Sequence, residues 1–438
     1  MNLYAQMTPE ELQITLRQLK EEHRGYVAKG LSLNMARGKP SAQQLDLSMP
    51  LLDAASAASD LHALDGTDCR NYGVMDGIPE AKELMAQIMD DVPERVCVFG
   101  NSSLNIMYDL ITHGMLYGFL GNAPWKDAGT VKWICPVPGY DRHFAILEQM
   151  GIQMIPVPLN PDGPDMDQVE QLAADPAVKG IWCVPQYSNP SGITYSPEVV
   201  ARLAAMGAAD DFRIFWDNAY CVHHLSEESA QSVHVADIAE ACAQAGHPHR
   251  YFKFASTSKI TFPGAGIAAV AASCEAIAQI KKRVGIQTVG YDKINQLRHV
   301  RFLKDLEGVK DHMAKHAAIM KPKFDLVERK LSQGLGANLA PDAQGDQVLG
   351  LAGWTRPQGG YFVSFDGMPH TASRTVALAK EAGVVMTGAG ATWPYKQDPL
   401  DSNIRIAPSL PPLEELDQAL DVFVCCVKIA AIEALLEQ

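Results

Sequence analysis

Seven short apolar runs, spaced by helix-like stretches, occupy the middle of the chain between about Val96 and Ser273. They are VCVF (Val96–Phe99), VKWIC (Val131–Cys135), GIQMIPV from Gly151, GIWCV (Gly180–Val184), FRIFW (Phe212–Trp216), YFKFA (Tyr251–Ala255) and IAAVAA (Ile267–Ala272). Runs this short and this rich in β-branched and aromatic residues read as strands covered on both faces, whereas SSLNIMYDLITHGMLYG, YDRHFAILEQM and SPEVVARLAAMGA between them read as helices. Repeated strand, helix, strand order leaves few solutions, because a parallel neighbour needs a connection long enough to cross the sheet. The predicted fold class is α/β, a mostly parallel sheet with helices on both faces. Ligands of such sheets collect beyond the carboxyl ends of the strands.

A chain of 438 residues is too long for one hydrophobic core. The patterns predict a large domain over 51–320 and a smaller α+β domain built from both ends, 1–50 and 321–438. The first end holds a helix and the irregular LSLNMARGKPSAQQLDLS; the second holds a helix to about Gly334, a loop, a strand GGYFVSFDG, a helix, a strand NIRIAP and a last helix from Leu413. There is no internal repeat or low-complexity tract.

Charge and cysteine usage exclude several classes. With 37 Lys+Arg against 51 Asp+Glu the net charge is −14, which repels phosphate backbones, so no nucleic-acid partner is expected. The most apolar stretch, GAGIAAVAASCEAIAQI from Gly264, is broken by Glu275 and is too short to span a membrane. The segment MNLYAQMTPEELQITLRQLKEE is amphipathic and acidic, unlike a secretory signal. Nine scattered cysteines without a C-x-x-C pair suit buried thiols of a reducing compartment, and a cytoplasmic location is expected. No metal is expected, since His223 and His224, the one adjacent histidine pair, would not face a single ion.

Polar residues collect just after the strands. Gly100-Asn101-Ser102-Ser103 follows VCVF, Pro138-Gly139-Tyr140 follows VKWIC, Ser188-Asn189-Pro190-Ser191-Gly192 follows GIWCV, Asp217-Asn218-Ala219-Tyr220 follows FRIFW, and Ser256-Thr257-Ser258-Lys259 follows YFKFA. A Gly-Asn-Ser-Ser turn opening a helix offers N–H groups, hydroxyls and the positive end of a helix dipole to a phosphate. Taken singly, each piece has a plainer explanation: Ser102 or Ser103 as an N-cap, Asp217 as a cap, Lys259 as a surface lysine. Together they supply an amine, an anion cup, an acid and an aromatic face on neighbouring strand ends. A lysine desolvated among small hydroxyl residues is a nucleophile of the kind that forms Schiff bases with carbonyl compounds, pyridoxal phosphate above all.

With these marks the chain resembles the fold-type-I pyridoxal-phosphate aminotransferases, the class I/II or aspartate aminotransferase-like group. NYGVMDGIPEAKE from Asn71, GNSS, PGY, SNPSG, DNAY, STSK, QGGYF from Gln358 and NIRIAPS from Asn403 run in the family's order over nearly the whole chain. ARGKP, PGYDRHF and VGIQTVGYDKINQLRH further resemble a bacterial subgroup near the aminotransferase-like domain of MocR regulators. The resemblance implies pyridoxal 5'-phosphate as cofactor and catalytic roles for Lys259, Asp217 and Tyr220. Asp217 would meet the cofactor's ring nitrogen, Asn189 and Tyr220 its phenolic oxygen, Tyr140 its ring face, and Ser102, Ser103, Ser256 and Ser258 its phosphate. Tyr72 would reach the phosphate of a neighbouring subunit in a homodimer. Arg405 would fork onto the substrate α-carboxylate, with Gly38 and Asn189 beside it, although an arginine in an alternating strand otherwise points to solvent.

One position departs from the family. Gly266 stands where relatives carry a phosphate-binding arginine, and a cation from the partner's segment 293–301 is the expected substitute. The implied substrates are an amino acid and a 2-oxo acid, with aspartate and 2-oxoglutarate preferred; Arg37, Arg142, Arg298 and Arg301 are the cations available to a distal carboxylate. An aminotransferase for alanine, aromatic residues or kynurenine is an alternative, as is a lyase or decarboxylase using the same Lys, Asp and Asn. A sensor that binds the cofactor without turnover is a third alternative.

Overall fold

All seven apolar runs form strands of one eight-stranded sheet. The computed structural model describes residue 4, residues 6–336 and residues 351–437. From edge to edge the strands are Val96–Val98, Ala268–Ala271, Tyr251–Ser256, Arg213–Asp217, Val178–Cys183, Lys132–Val137, Gln153–Asn160 and Gly163–Pro164. The five from Tyr251–Ser256 to Gln153–Asn160 are mutually parallel. Ala268–Ala271 runs against both of its neighbours, so Val96–Val98 beyond it again points in the common direction. The reversal has a simple cause: the connection over 257–267 is too short to carry a crossover helix back across the sheet.

Side chains alternate between two buried layers, as expected for strands covered on both faces. Trp133, Trp182, Phe215 and Phe252 pack on one side with Ile106, Leu110 and Leu147 from the helices Ser103–Tyr117 and Asp141–Gln149. Ile134, Ile181 and Ile214 pack on the other with Val169, Val200, Leu203 and Ile238. Each such side chain stabilises the fold by about 1.5–3 kcal/mol through burial, so the sheet forms a rigid floor for whatever its carboxyl edge carries.

The chain ends pack together elsewhere. Leu33–Asn34 pairs in parallel with Val384–Val385, and a three-stranded antiparallel sheet is formed by Ala352–Trp354, Val363–Gly367 and Asn403–Ile406. Thr8 and Glu11 form a capping box that starts the helix Pro9–Ala28, which lies on the long apolar helix Leu413–Leu436. Another helix, Leu306–Leu335, runs unbroken through position 321 with Pro322 inside it. The loop expected after Gly334 falls on 337–350, outside the described residues. Among the described residues no helix is long and apolar enough to cross a membrane.

Candidate active site

Because Val96–Val98 and the parallel strands share one direction, their carboxyl ends open at the same edge. A cavity of about 150 Å³ lies there, lined by Ser102, Ser103, Tyr140, Asn189, Asp217, Tyr220, Ser256, Ser258 and Lys259 among others. Nine of the residues anticipated from sequence are therefore brought together. Three are not part of that lining: Arg405, which reaches the lining residue Asn189, Gly38, which lies against Phe362, and Tyr72, which is 83% exposed.

Asp217 ends the strand Arg213–Asp217 and is buried. Its Oδ2 accepts from Nε2 of His143 at 2.9 Å, while Oδ1 is buried without a hydrogen-bond partner. A half-satisfied buried carboxylate is expensive unless a cationic or N–H donor completes it. The His143 ring is stacked on Trp182, 4.2 Å between centres with 10° between planes, and this fixes the angle from which it meets Asp217. Sequence reading missed His143. The available signal was its place three residues after Tyr140, at the start of the helix Asp141–Gln149, which turns it back under the same crevice.

Lys259 follows the strand Tyr251–Ser256, with its Nζ 4.7 Å from the centre of the buried Tyr220 ring. Burial pushes its amine below the ordinary lysine value, and the Asp217 carboxylate pulls in the opposite direction. Burial raises the phenol of Tyr220 well above 10 and that of Tyr140 to about 12, so both remain protonated donors near neutrality. Ser102 is the N-cap residue of the helix Ser103–Tyr117, but its side chain makes no capping bond, which leaves the hydroxyl and the first-turn N–H groups to a ligand. Ser256 donates to the Ser258 hydroxyl at 3.1 Å, and Ser258 donates to the carbonyl of Asn101 at 3.0 Å, joining the two halves of this cup.

Arg405 reaches the crevice from the strand Asn403–Ile406. Its Nη1 donates to Asp141 Oδ1 at 2.9 Å and to Asn189 Oδ1 at 3.3 Å, and its Nη2 donates to Thr387 Oγ1 at 3.3 Å. The Nε is buried and has no partner. The guanidinium lies over Phe362, 4.8 Å from the ring centre. Gly38 makes that arrangement fit, because a Cβ there would stand 2.4 Å from the Phe362 ring. Thr387 also donates to the carbonyl of Ala36 at 2.7 Å, so the ARGKP segment is tied to Arg405. Asp141, Thr387 and Phe362 were not anticipated; the pairing of distant segments that brings them together leaves no local mark.

The remaining anticipated cations divide. Arg301 donates to the backbone carbonyls of Ala54 and Asp60, and Lys293 donates to the carbonyl of Gly73 at 3.0 Å. Arg37 and Arg142 are exposed next to Gly38 and Asp141. Among the described residues no group of His, Cys, Asp and Glu is suited to hold a metal ion.

The chain is similar in sequence and shape to aminotransferases. The family model for aspartate amino-transferase matches residues 7–438. An aspartate aminotransferase of Corynebacterium glutamicum is 48% identical over 408 residues, covering 93% of this chain and 91% of that one. The crystal structure of an aspartate transaminase from the same organism superposes with a TM-score of 0.91 at 46% identity, covering 97% of each chain. The fold also matches an α-aminoadipate aminotransferase of Thermus thermophilus complexed with N-(5'-phosphopyridoxyl)-L-leucine, at a TM-score of 0.72 and 18% identity over 94% of this chain and 95% of that one.

Proposed function

This chain belongs to the aspartate amino-transferase family, and from that premise we propose that it binds pyridoxal 5'-phosphate at the Lys259 crevice and moves the amino group of aspartate to a 2-oxo acid such as 2-oxoglutarate. One observation carries the reading: Asp217 presents a buried, unpartnered oxygen to the same cavity that Lys259, Tyr220, Asn189 and the serine cup line. That donor set fits the cofactor group by group. The free Asp217 oxygen suits a protonated ring nitrogen, the Lys259 amine an aldehyde carbon, and the hydroxyls with the helix start a phosphate. Tyr220 and the NH2 of Asn189, whose oxygen is taken by Arg405, suit a phenolic oxygen.

When bound, pyridoxal phosphate supplies a ring that takes up the electron pair left when a substrate α-carbon loses its proton. The chain's own residues do the rest. Arg405 binds the α-carboxylate and orients the substrate. Lys259 Nζ, which burial favours in its neutral form, would take the α-proton and pass it to the cofactor rather than back to the α-carbon. Asp217 holds a proton on the ring nitrogen, and His143 holds Asp217. The amino group is retained between two half-reactions, so the kinetics are ping-pong. For a distal carboxylate the candidate cations include Arg37, beside Gly38, and Arg142, which is close enough to Tyr140 to oppose the rise that burial and Asp141 cause in its pKa.

A homodimer is part of the proposal. Tyr72, Ile286 and Val289 are 83%, 87% and 52% exposed, and Gly73 N–H donates to the Val289 carbonyl at 2.8 Å, so these apolar side chains belong to one surface region. A second copy covering it would let Tyr72 reach the neighbouring phosphate. Within 293–301 Lys293 and Arg301 are held by their own chain, which leaves Arg298 as the cation for that neighbour.

Steady-state rates with aspartate, alanine, kynurenine and aromatic amino acids, each with 2-oxoglutarate, test the substrate. Preference for aspartate supports the reading, and indifference to the distal carboxylate defeats it. Product analysis separates the lyase or decarboxylase alternative, which releases ammonia or carbon dioxide instead of conserving the amino group on a second acid.

A further inference from the structure

The segment DKINQLRH supplies the N-cap Asp292 and the first seven residues of the helix Lys293–Leu303, in which the polar Lys293, Asn295, Gln296 and His299 are buried. Lys293 donates to the carbonyl of Gly73, and Gln296 accepts from Ile78 N–H at 2.9 Å, which fixes the turn that follows Tyr72. Asn295 Nδ2 donates at 2.9 Å to each of the carbonyls of Ala265 and Gly266. His299 is wholly buried. Its Nδ1–H donates to the Asn295 carbonyl at 2.8 Å, so Nε2 is the acceptor; it receives the hydroxyls of Thr257 at 3.2 Å and Thr261 at 2.9 Å. Thr257 Oγ1 in turn accepts from Ile267 N–H at 2.9 Å. Burial lowers the His299 pKa to about 4, which keeps this ring a neutral acceptor.

We infer that His299 and Asn295 are positioning residues for the connection 257–267, which carries Ser258 and Lys259 and follows directly on Ser256. The reason lies in the charge of the cup. Lys259 is the one cation lining the cavity among the described residues, and at Gly266 the loop comes so close to itself that a Cβ would stand 2.8 Å from Thr257 Oγ1. A cation attracts a phosphate from a wide range of angles, because the interaction of two charges has no directional term and its energy falls only as the inverse distance. Hydroxyl and N–H donors weaken steeply once bent or stretched. The serine cup that this chain contributes is built from neutral donors and needs its loop held in place, and the His299 and Asn295 bonds hold it from behind, out of reach of any ligand.

The inference rests on the proposed cofactor, and its test separates the two. In the cofactor-free protein, hydrogen exchange of the peptide covering 257–267 reads the brace alone. His299→Phe keeps an aromatic ring and removes all three hydrogen bonds of the imidazole; exchange there should speed by roughly tenfold or more, with the peptides of the central strands unchanged. His299→Gln, which can both donate and accept, should restore most of the protection. In the loaded enzyme, His299→Phe should weaken pyridoxal phosphate binding by about tenfold, with substrate KM at saturating cofactor changed less than twofold. Thr257→Val should reproduce this in milder form. Wild-type exchange in His299→Phe overturns the brace. Faster exchange with unaltered cofactor affinity overturns its link to the phosphate cup. A wild-type protein that binds no pyridoxal phosphate overturns the proposed cofactor, while the exchange arm still decides the brace.

Discussion

Lys259 and Arg405 enter one crevice from two different sheets, and their surroundings treat positive charge in opposite ways. Around Lys259 the neighbours are a tyrosine face, small hydroxyls and a carboxylate held by His143, so burial dominates and the ammonium form is disfavoured. Around Arg405, Asp141, Asn189 and Thr387 all accept hydrogen bonds from the guanidinium. A lysine can be neutralised and an arginine cannot. In the proposed function the larger sheet therefore presents the reactive amine, and the smaller one the anion clamp.

The largest effect should come from removing the reactive member. Lys259→Ala should slow the aspartate half-reaction by roughly a thousandfold or more, read in single-turnover stopped flow. Arg405→Lys keeps the charge but loses the fork, so kcat/KM should fall by about 10–100-fold, mostly through KM. If that loss appeared in kcat alone, Arg405 would not be the clamp described. His143→Phe keeps the stack on Trp182 but frees Asp217 Oδ2; kcat should fall by about tenfold, and the pH dependence of the visible cofactor band should shift. The smallest effect concerns the protonation contrast. Since its pKa lies below the ordinary 10.5, the neutral amine fraction of Lys259 at a given pH exceeds that of an exposed lysine. Reductive methylation of the cofactor-free protein, followed by peptide mass spectrometry across pH, should label Lys259 at lower pH than Lys126 or Lys282. Equal profiles would remove the contrast.

How far this was legible in the sequence differs between the two sheets. The larger sheet was readable because each run announces its own strand and each strand end places its polar residues at a common edge by topology alone. The antiparallel Ala268–Ala271 was not anticipated as such, since its sequence resembles the others and only the short connection 257–267 forces the reversal. Around Arg405 less could be read. Its partners Asp141, Thr387 and Phe362 come from three separate segments, and nothing local marks them as neighbours. Gly38 is intelligible only once the Phe362 ring is seen to fill the space of its missing side chain. His143 lay one helical turn from a residue already singled out, so helix geometry could have found it. The brace around His299 could not be found that way, because its acceptors are backbone carbonyls and threonine hydroxyls.

The central claim, that this crevice transfers an amino group through Lys259, is tested most directly by mixing the pyridoxal phosphate-loaded protein with aspartate alone. The account predicts a shift of the visible spectrum with one equivalent of oxaloacetate formed per site, reversed on adding 2-oxoglutarate with glutamate as the product. Release of ammonia or carbon dioxide, or a spectrum that aspartate leaves unchanged, would contradict it.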